Sequence, residues 1–203
     1  MSYKSVWDFG RHGRTNYSAH ALGEYPSKIR PIIFHHLVAR FSAEQDRMLD
    51  PFSGSGTMAV EAKLQGRHSV SMDINANAVK LIEEKLGYLT PNKIISAYEE
   101  LINDLTKEKA GLDRNGDRFQ FVRIQKEITK YQRIIERIDS KDPALLDTQH
   151  TTMVGDARQL DWQDETFDAI ITDIPYGDMI RCSDLTEDLS TIGEYDALSL
   201  IHI

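Results

Sequence analysis

An α/β domain built on a parallel sheet is the fold this sequence predicts, and three observations predict it. Apolar runs of strand length alternate with amphipathic segments of helix length. Four of those runs lead directly to an aspartate: Asp50, Asp73, Asp156 and Asp173. The first aspartate opens a glycine-rich turn, Asp50-Pro51-Phe52-Ser53-Gly54-Ser55-Gly56-Thr57, where the missing side chains let backbone come close to a ligand. Strand–helix–strand repeats require parallel strands with right-handed crossovers. The expected architecture is three-layered, with strand order 3-2-1-4.

In chain order, residues 1–25 lack periodicity and read as an extended arm. Residues 29–41 carry Ile33, Phe34, Leu37, Val38 and Phe41 at helical spacing, with Pro31 tolerated in the first turn. Met48-Leu49 forms a short strand into the glycine turn, and residues 58–64 form the helix after it. Residues 68–73 alternate Val70 and Met72 as a second strand. Residues 75–89 place Ala78, Val79, Ile82 and Leu86 on one side of a helix.

The rhythm then breaks. Pro91 opens a helix striped by Ile94, Ile95, Tyr98, Leu101, Ile102 and Leu105. After a turn at residues 111–117, a second helix carries Phe121, Ile124, Ile128, Tyr131, Ile135 and Ile138 at steps of three and four. Two such stripes joined by a short turn predict a protruding helical hairpin over residues 92–140. Its charges nearly cancel, which points to a structural arm rather than one that tracks DNA. Strands resume at residues 151–154, before Gly155-Asp156-Ala157. They resume again at 167–172, a run apolar enough to be buried on both faces. Beyond Tyr176 one further helix is expected, around residues 183–189.

At 203 residues, 40% hydrophobic and 28% charged, the chain suits one well-buried soluble domain. Its one cysteine, Cys182, excludes an internal disulfide and a cysteine-built zinc site, so no metal is expected and a reducing cytoplasm is. No apolar run reaches the roughly 18 residues of a membrane span. The net charge of −8 is unevenly spread: bases outnumber acids before residue 41, and acids dominate from Asp156 onward. The N-terminal part could face phosphates and the C-terminal part could not.

In an open parallel sheet ligands bind beyond the carboxyl ends of the strands, which is where the four aspartates fall. Asp50 and the turn, with Gly54, Ser55, Gly56 and Thr57, would meet the cationic end of a small ligand. Asp73, followed by Ile74, lies where a carboxylate accepts hydrogen bonds from both ribose hydroxyls. Asp156 and Ala157 would meet an adenine edge, with Phe52 as an aromatic wall. Asp173-Ile174-Pro175-Tyr176 is the catalytic candidate. An exocyclic base amine is a poor nucleophile because its lone pair is delocalised. Hydrogen bonds from its N–H groups to Asp173 and to the Ile174 carbonyl would localise that pair. Pro175 holds Ile174 extended, and Tyr176 can stack on a base swung out of a duplex.

These residues resemble the amino-methylating DNA methyltransferases, which modify adenine N6 or cytosine N4. The match is strongest over residues 50–57, like that family's Asp-Pro-Phe-x-Gly-Ser-Gly-Thr loop. Tyr25-Pro26-Ser27-Lys28-Ile29 is similar to the segment lining the methionine end of the cofactor, which adds Lys28 to the cofactor set. Gly66-Arg67-His68 through Asp73-Ile74-Asn75 is similar to the strand carrying the ribose acid. Tyr176-Gly177-Asp178 and Asp188-Leu189-Ser190 also look like members of the group. The resemblance implies a Rossmann-like S-adenosylmethionine-dependent sheet, a flipped target base in double-stranded DNA and, from an aspartate rather than serine at 173, adenine N6. Two departures stand out. Ile174 replaces the first proline of the (Asp/Asn/Ser)-Pro-Pro-Tyr loop, and the chain ends soon after that loop. An incomplete catalytic domain with little or no transfer activity of its own is therefore expected. The terminal Leu198-Ser199-Leu200-Ile201-His202-Ile203 resembles translated adapter read-through, so His202 takes no functional reading.

Guanine-N2 RNA methyltransferases share a similar glycine loop and are the nearest rival reading. A dinucleotide oxidoreductase would explain Gly54-x-Gly56-x-x-Ala59 with Asp73, but neither Asp50-Pro51 nor residues 173–176. A P-loop phosphotransferase is excluded because no Lys-Ser/Thr pair follows the glycines. A fragment that binds cofactor without chemistry is the remaining alternative.

Overall fold

The computed structural model describes residues 18–23, 25, 28–112 and 117–174. The expected arm over most of residues 1–25, Pro175, Tyr176, Cys182 and the helix expected near 183–189 lie outside the described residues. Among the described residues, ten helices and strands follow a short 3-10 turn at Ser18–His20. In chain order they are α1 (Pro31–Phe41), β1 (Arg47–Asp50), α2 (Thr57–Leu64), β2 (His68–Asp73), α3 (Ala76–Tyr88), α4 (Pro91–Ala110), α5 (Arg118–Asp139), α6 (Pro143–Leu146), β3 (His150–Val154) and β4 (Ala169–Ile170).

The four strands pair in the order β3-β2-β1-β4, and every pairing is parallel. That is the order the sequence rhythm predicts. Local chemistry sets the helix starts. Asn75 caps α3 by accepting from the Asn77 N–H at 2.9 Å, and proline occupies the first turn of α1, α4 and α6.

Helices α1, α2 and α3 cover one face of the sheet. Phe34 and Val38 of α1 pack with Met48 of β1 and with Met58 and Ala62 of α2, while Ile82 and Leu86 of α3 pack on Ala59. On the opposite face Met72 packs with Phe52, Ala157, Leu160 and Trp162, all from turns and loops. The third layer lies outside α2. Ile94, Ala97, Tyr98 and Leu101 of α4, with Tyr131 and Ile138 of α5, join Val60 and Leu64 in one cluster.

Helices α4 and α5 therefore form a hairpin that packs over α2 instead of standing off it. The two run antiparallel: Lys109 lies over the Phe121 ring, Gln120 reaches Glu108, and Tyr98 meets Tyr131 with ring centroids 5.4 Å apart. The physical reason for the docking is that each helix has a full apolar stripe, wider than its partner alone can bury. No helix among the described residues is long and apolar enough to cross a membrane.

β4 departs from expectation. It has only two residues, and Ile170, on the face opposite the helices, is exposed. Within the described sheet it is an edge strand paired with β1 alone, so apolar composition did not translate into burial on both faces. Phe41 is likewise exposed at the end of α1.

Candidate active site at the strand ends

β1 delivers Asp50 to the carboxyl end of the sheet and buries it. Its Oδ1 accepts the Thr172 hydroxyl at 2.6 Å and the Phe52 N–H at 3.2 Å. Burial, opposed by those hydrogen bonds but reinforced by Asp73 and Asp173, pushes the Asp50 carboxyl up to about 7. Asp50 is thus a buried acid whose carboxyl is raised first by burial and further by the neighbouring Asp73 and Asp173.

The glycine turn is built around that residue. Ser53 donates its hydroxyl to the Asp50 carbonyl at 2.6 Å and its N–H to the Met72 carbonyl at 2.9 Å. Asp73, half-buried at the end of β2, accepts the Gly54 N–H at 2.7 Å and the Asn75 N–H at 2.8 Å. One carboxylate thus holds the turn and the start of the next helix together. A carboxylate has about four lone-pair directions, so it can hold a backbone tie and still accept from a ligand hydroxyl. Ile74 lies half-buried beside it.

The two glycines do different things. Gly54 has φ 47°, and a Cβ there would come 3.1 Å from the Tyr25 ring. Gly56 has φ 76°, and its Cβ would lie 2.7 Å from Cγ1 of Ile82. The Gly56 position is thus reserved by the contact between α2 and α3 as well as by the left-handed backbone. Ser55 and Thr57 are buried with their hydroxyls 3.3 Å apart.

Asp156, two residues beyond β3, is engaged by its neighbour. Its carboxylate accepts the Arg158 N–H at 2.9 Å and the Arg158 guanidinium at 2.6 Å, and that bonding holds its carboxyl below the usual range. Ala157 is buried against Met72 near Phe52. Asp173 lies close enough to Asp50 to raise it, and Ile174 lines an apolar groove of about 510 Å³ with Phe52, Ala157, Leu160, Ile171 and Phe41. Lys28 donates to the Gly23 carbonyl. The structure thus brings Asp50, Asp73, Asp173 and the turn together, and leaves Asp156 paired with Arg158.

Three supporting residues escaped the sequence reading. Lys85 is buried on α3 and donates to the Ser55 carbonyl at 2.6 Å, with burial pulling its ammonium down to about 8. A lysine one turn from Ile82 on an otherwise apolar stripe was the available signal. Tyr25 closes over Gly54 and was visible only as part of a motif. Thr172 ties β4 to Asp50 across 122 positions, and nothing local marks it.

Residues 24–191 match the RMKL-like methyltransferase domain. The chain belongs to that family. Among curated proteins it is 31% identical over 84 residues to the Type II methyltransferase M2.LlaDCHI of Lactococcus lactis subsp. cremoris, covering 41% of this chain and 30% of that one. It is 27% identical over 139 residues to the Type II methyltransferase M.MjaII of Methanocaldococcus jannaschii, covering 66% of this chain and 25% of the relative. The chain spans between 24% and 30% of the length of the curated relatives it matches. Among solved structures it aligns with the rRNA methyltransferase aviRa of Streptomyces viridochromogenes at 20% identity and a TM-score of 0.43, covering 84% of this chain and 69% of that one. The family match and the curated relatives agree with the methyltransferase resemblance read from the sequence, and the parallel β3-β2-β1-β4 sheet agrees with the Rossmann-like order expected there.

Proposed function

We propose that this domain transfers a methyl group from S-adenosylmethionine to the exocyclic amine of a DNA base, adenine N6. The observation that carries the reading is the convergence of Asp50, Asp73 and Asp173 around the glycine turn, with the Asp50 carboxyl raised to about 7. A buried acid left short of positive partners suits a ligand that brings its own cation.

The residues present fit such a cofactor. Asp50 and the turn would hold its ammonium end, Asp73 its ribose hydroxyls, and Phe52, Ile74 and Ala157 the faces of its adenine. When bound, the cofactor supplies an activated methyl group on sulfur. Lys28 would border the carboxylate end, and Asp156 would accept from the adenine amine only with lone pairs that Arg158 leaves free.

Asp173 and the Ile174 carbonyl would accept the two N–H groups of the target amine. Nitrogen must lose one proton as it gains carbon, and a carboxylate at that position can take it. The groove beside Ile174 is walled mostly by apolar side chains, which would suit the flat face of a base next to that amine. Pro175 and Tyr176 complete the catalytic set in this proposal. Double-stranded DNA with the target base flipped out is the proposed substrate.

Mass spectrometry of nucleosides tests the reading. DNA from cells producing a longer protein that carries this domain should gain N6-methyladenine, DNA from cells producing its Asp173→Ala variant should not, and the 203-residue chain alone should transfer little or none. N4-methylcytosine in its place would overturn the choice of base. Methylated guanine confined to RNA would overturn the DNA substrate, and full activity in the variant would overturn the role of Asp173.

A further inference from the structure

Helix α5 carries its cations in a single row. Arg123, Lys126, Lys130, Arg133 and Arg137 follow one another at steps of three and four, which places them on one helical stripe. The buried residues Ile124, Ile128, Tyr131 and Ile138 form a different stripe, turned toward α4 and the core. At about 1.5 Å per residue the row is roughly 21 Å long. Phe119, exposed over 84% of its surface, stands one turn before Arg123 on the same line.

The row is concave and weakly compensated. A depression of about 550 Å³ has Lys126, Lys130, Arg133 and Arg137 in its walls, with Glu44 opposite. Arg137 is bound to Glu44 at 2.7 Å and to Asp142 at 2.6 Å. Arg123, Lys126, Lys130 and Arg133 take part in none of the ion pairs of the described residues, although Glu127 flanks Arg123 and Lys130. The field they make is visible at His36: burial first, then Lys130 and Arg123, hold its imidazole below the ordinary range. All this belongs to a chain of net charge −8, so the row is a local exception to a protein that repels polyanions.

We infer that this face of α5 is a docking surface for the phosphodiester backbone of duplex DNA. The inference rests on the DNA reading proposed above and adds a contact surface remote in sequence from residues 173–176. Each strand of a duplex presents a phosphate about every 3.4 Å along the axis, so a straight row of this length meets several of them. A membrane surface does not fit, because the apolar stripe of α5 is already buried in the protein core and cannot enter lipid. Backbone contacts of this kind read no sequence; they position the domain on the duplex.

Binding of a mixed-sequence duplex, followed by anisotropy across a potassium chloride series, tests the surface. The triple variant Arg123→Gln, Lys126→Gln, Arg133→Gln removes exposed side chains only. It should weaken binding by about tenfold or more at low salt, and lower the slope of log K against log salt by about 2.7, at roughly 0.9 for each phosphate the variant no longer neutralises. A control triple on other exposed lysines, Lys80→Gln, Lys93→Gln, Lys107→Gln, should leave the slope nearly unchanged. Affinity for S-adenosylhomocysteine should be the same in all three proteins. If the wild type binds duplex DNA and the first triple binds with an unchanged slope, the docking surface is overturned while the DNA reading stands. If the wild type ignores duplex DNA and binds structured RNA, the DNA reading falls and the proposed occupant of α5 falls with it. Equal losses in the two triples would reduce the effect to net charge and also overturn the surface.

Discussion

Asp50 and Glu61 are both buried carboxyl groups, one before the glycine turn and one in the helix after it, yet their surroundings are opposite. Asp50 faces two other acids and receives one hydroxyl and one N–H at Oδ1. Glu61 faces donors and rings: His20 at 2.9 Å, His35 at 2.9 Å and Gln65 at 3.3 Å. His35 continues to the Tyr131 hydroxyl at 2.9 Å, so the cluster joins the 3-10 turn, α1, α2 and α5. Burial holds both imidazoles down to about 3 and the Glu61 carboxyl well above its ordinary value. An uncharged cluster satisfies these contacts. Glu61 donates its proton to His20, accepts from the His35 Nδ1–H and from Gln65, and Tyr131 donates to His35 Nε2. Burial raises both acids, but Glu61 is ringed by two imidazoles and an amide, whereas the further influences on Asp50 among the described residues include two other acids at the strand ends.

The largest expected effect breaks the compensated cluster. Glu61→Ala removes the partner of His20 Nε2 and of His35 Nδ1 inside the core, while the Gln65 amide keeps the His35 carbonyl, and at about 1–3 kcal/mol for each group left unsatisfied it should cost about 2–6 kcal/mol in urea unfolding. Glu61→Gln can donate to His20 and accept from His35 and Gln65, so it should cost far less. Equal losses in the two variants would mean that Glu61 carries a charge and that the uncharged arrangement is wrong.

The next effect sharpens the other side of the comparison. Pairing with a ligand ammonium requires Asp50 ionised, and its carboxyl is held at about 7 with Asp73 and Asp173 pushing in the same direction. Calorimetry with S-adenosylhomocysteine should show affinity rising by up to about tenfold per pH unit as pH climbs toward 7, then levelling. Asp50→Asn should bind weakly and without that slope. A flat profile in the wild type would remove Asp50 from the ligand's ammonium.

Asp73→Ala should weaken the same ligand by about 1.5–3 kcal/mol, the range for a hydrogen bond to a charged group. It also frees the Gly54 N–H, so order in the turn, followed by amide exchange, should fall with affinity. Unchanged affinity would put the ribose elsewhere. The smallest effect is Tyr131→Phe, which deletes one hydroxyl from the cluster and should cost about 1 kcal/mol of stability while leaving cofactor affinity intact. A loss of affinity there would couple α5 to the glycine turn more tightly than the geometry requires.

Much of the fold was legible because its signals are local. Alternation marked β2, helical stripes marked α3, α4 and α5, and glycines marked the turn, each within a dozen or so residues. Of the candidate site, the aspartates at the strand ends were legible for the same reason, and the resemblance over residues 50–57 adds the turn chemistry. Lys85 and the cation row of α5 were written in the sequence at readable spacing. Counting charge over the whole hairpin hid the row, since a sum has no faces.

What only the tertiary structure decided is which groups meet. Residue types and spacing determined that acids would stand at the strand ends, because strand length and side-chain period are properties of neighbouring residues. They could not determine that Thr172 would close on Asp50, that His20 and His35 would flank Glu61, or that Tyr131 would reach His35 across 96 positions. They could not determine that Arg158 would claim Asp156, or that the hairpin would lie over α2. Those pairings depend on how whole elements dock. The same carboxyl chemistry becomes a sealed strut or an open charge according to which donors the fold brings within about 3 Å.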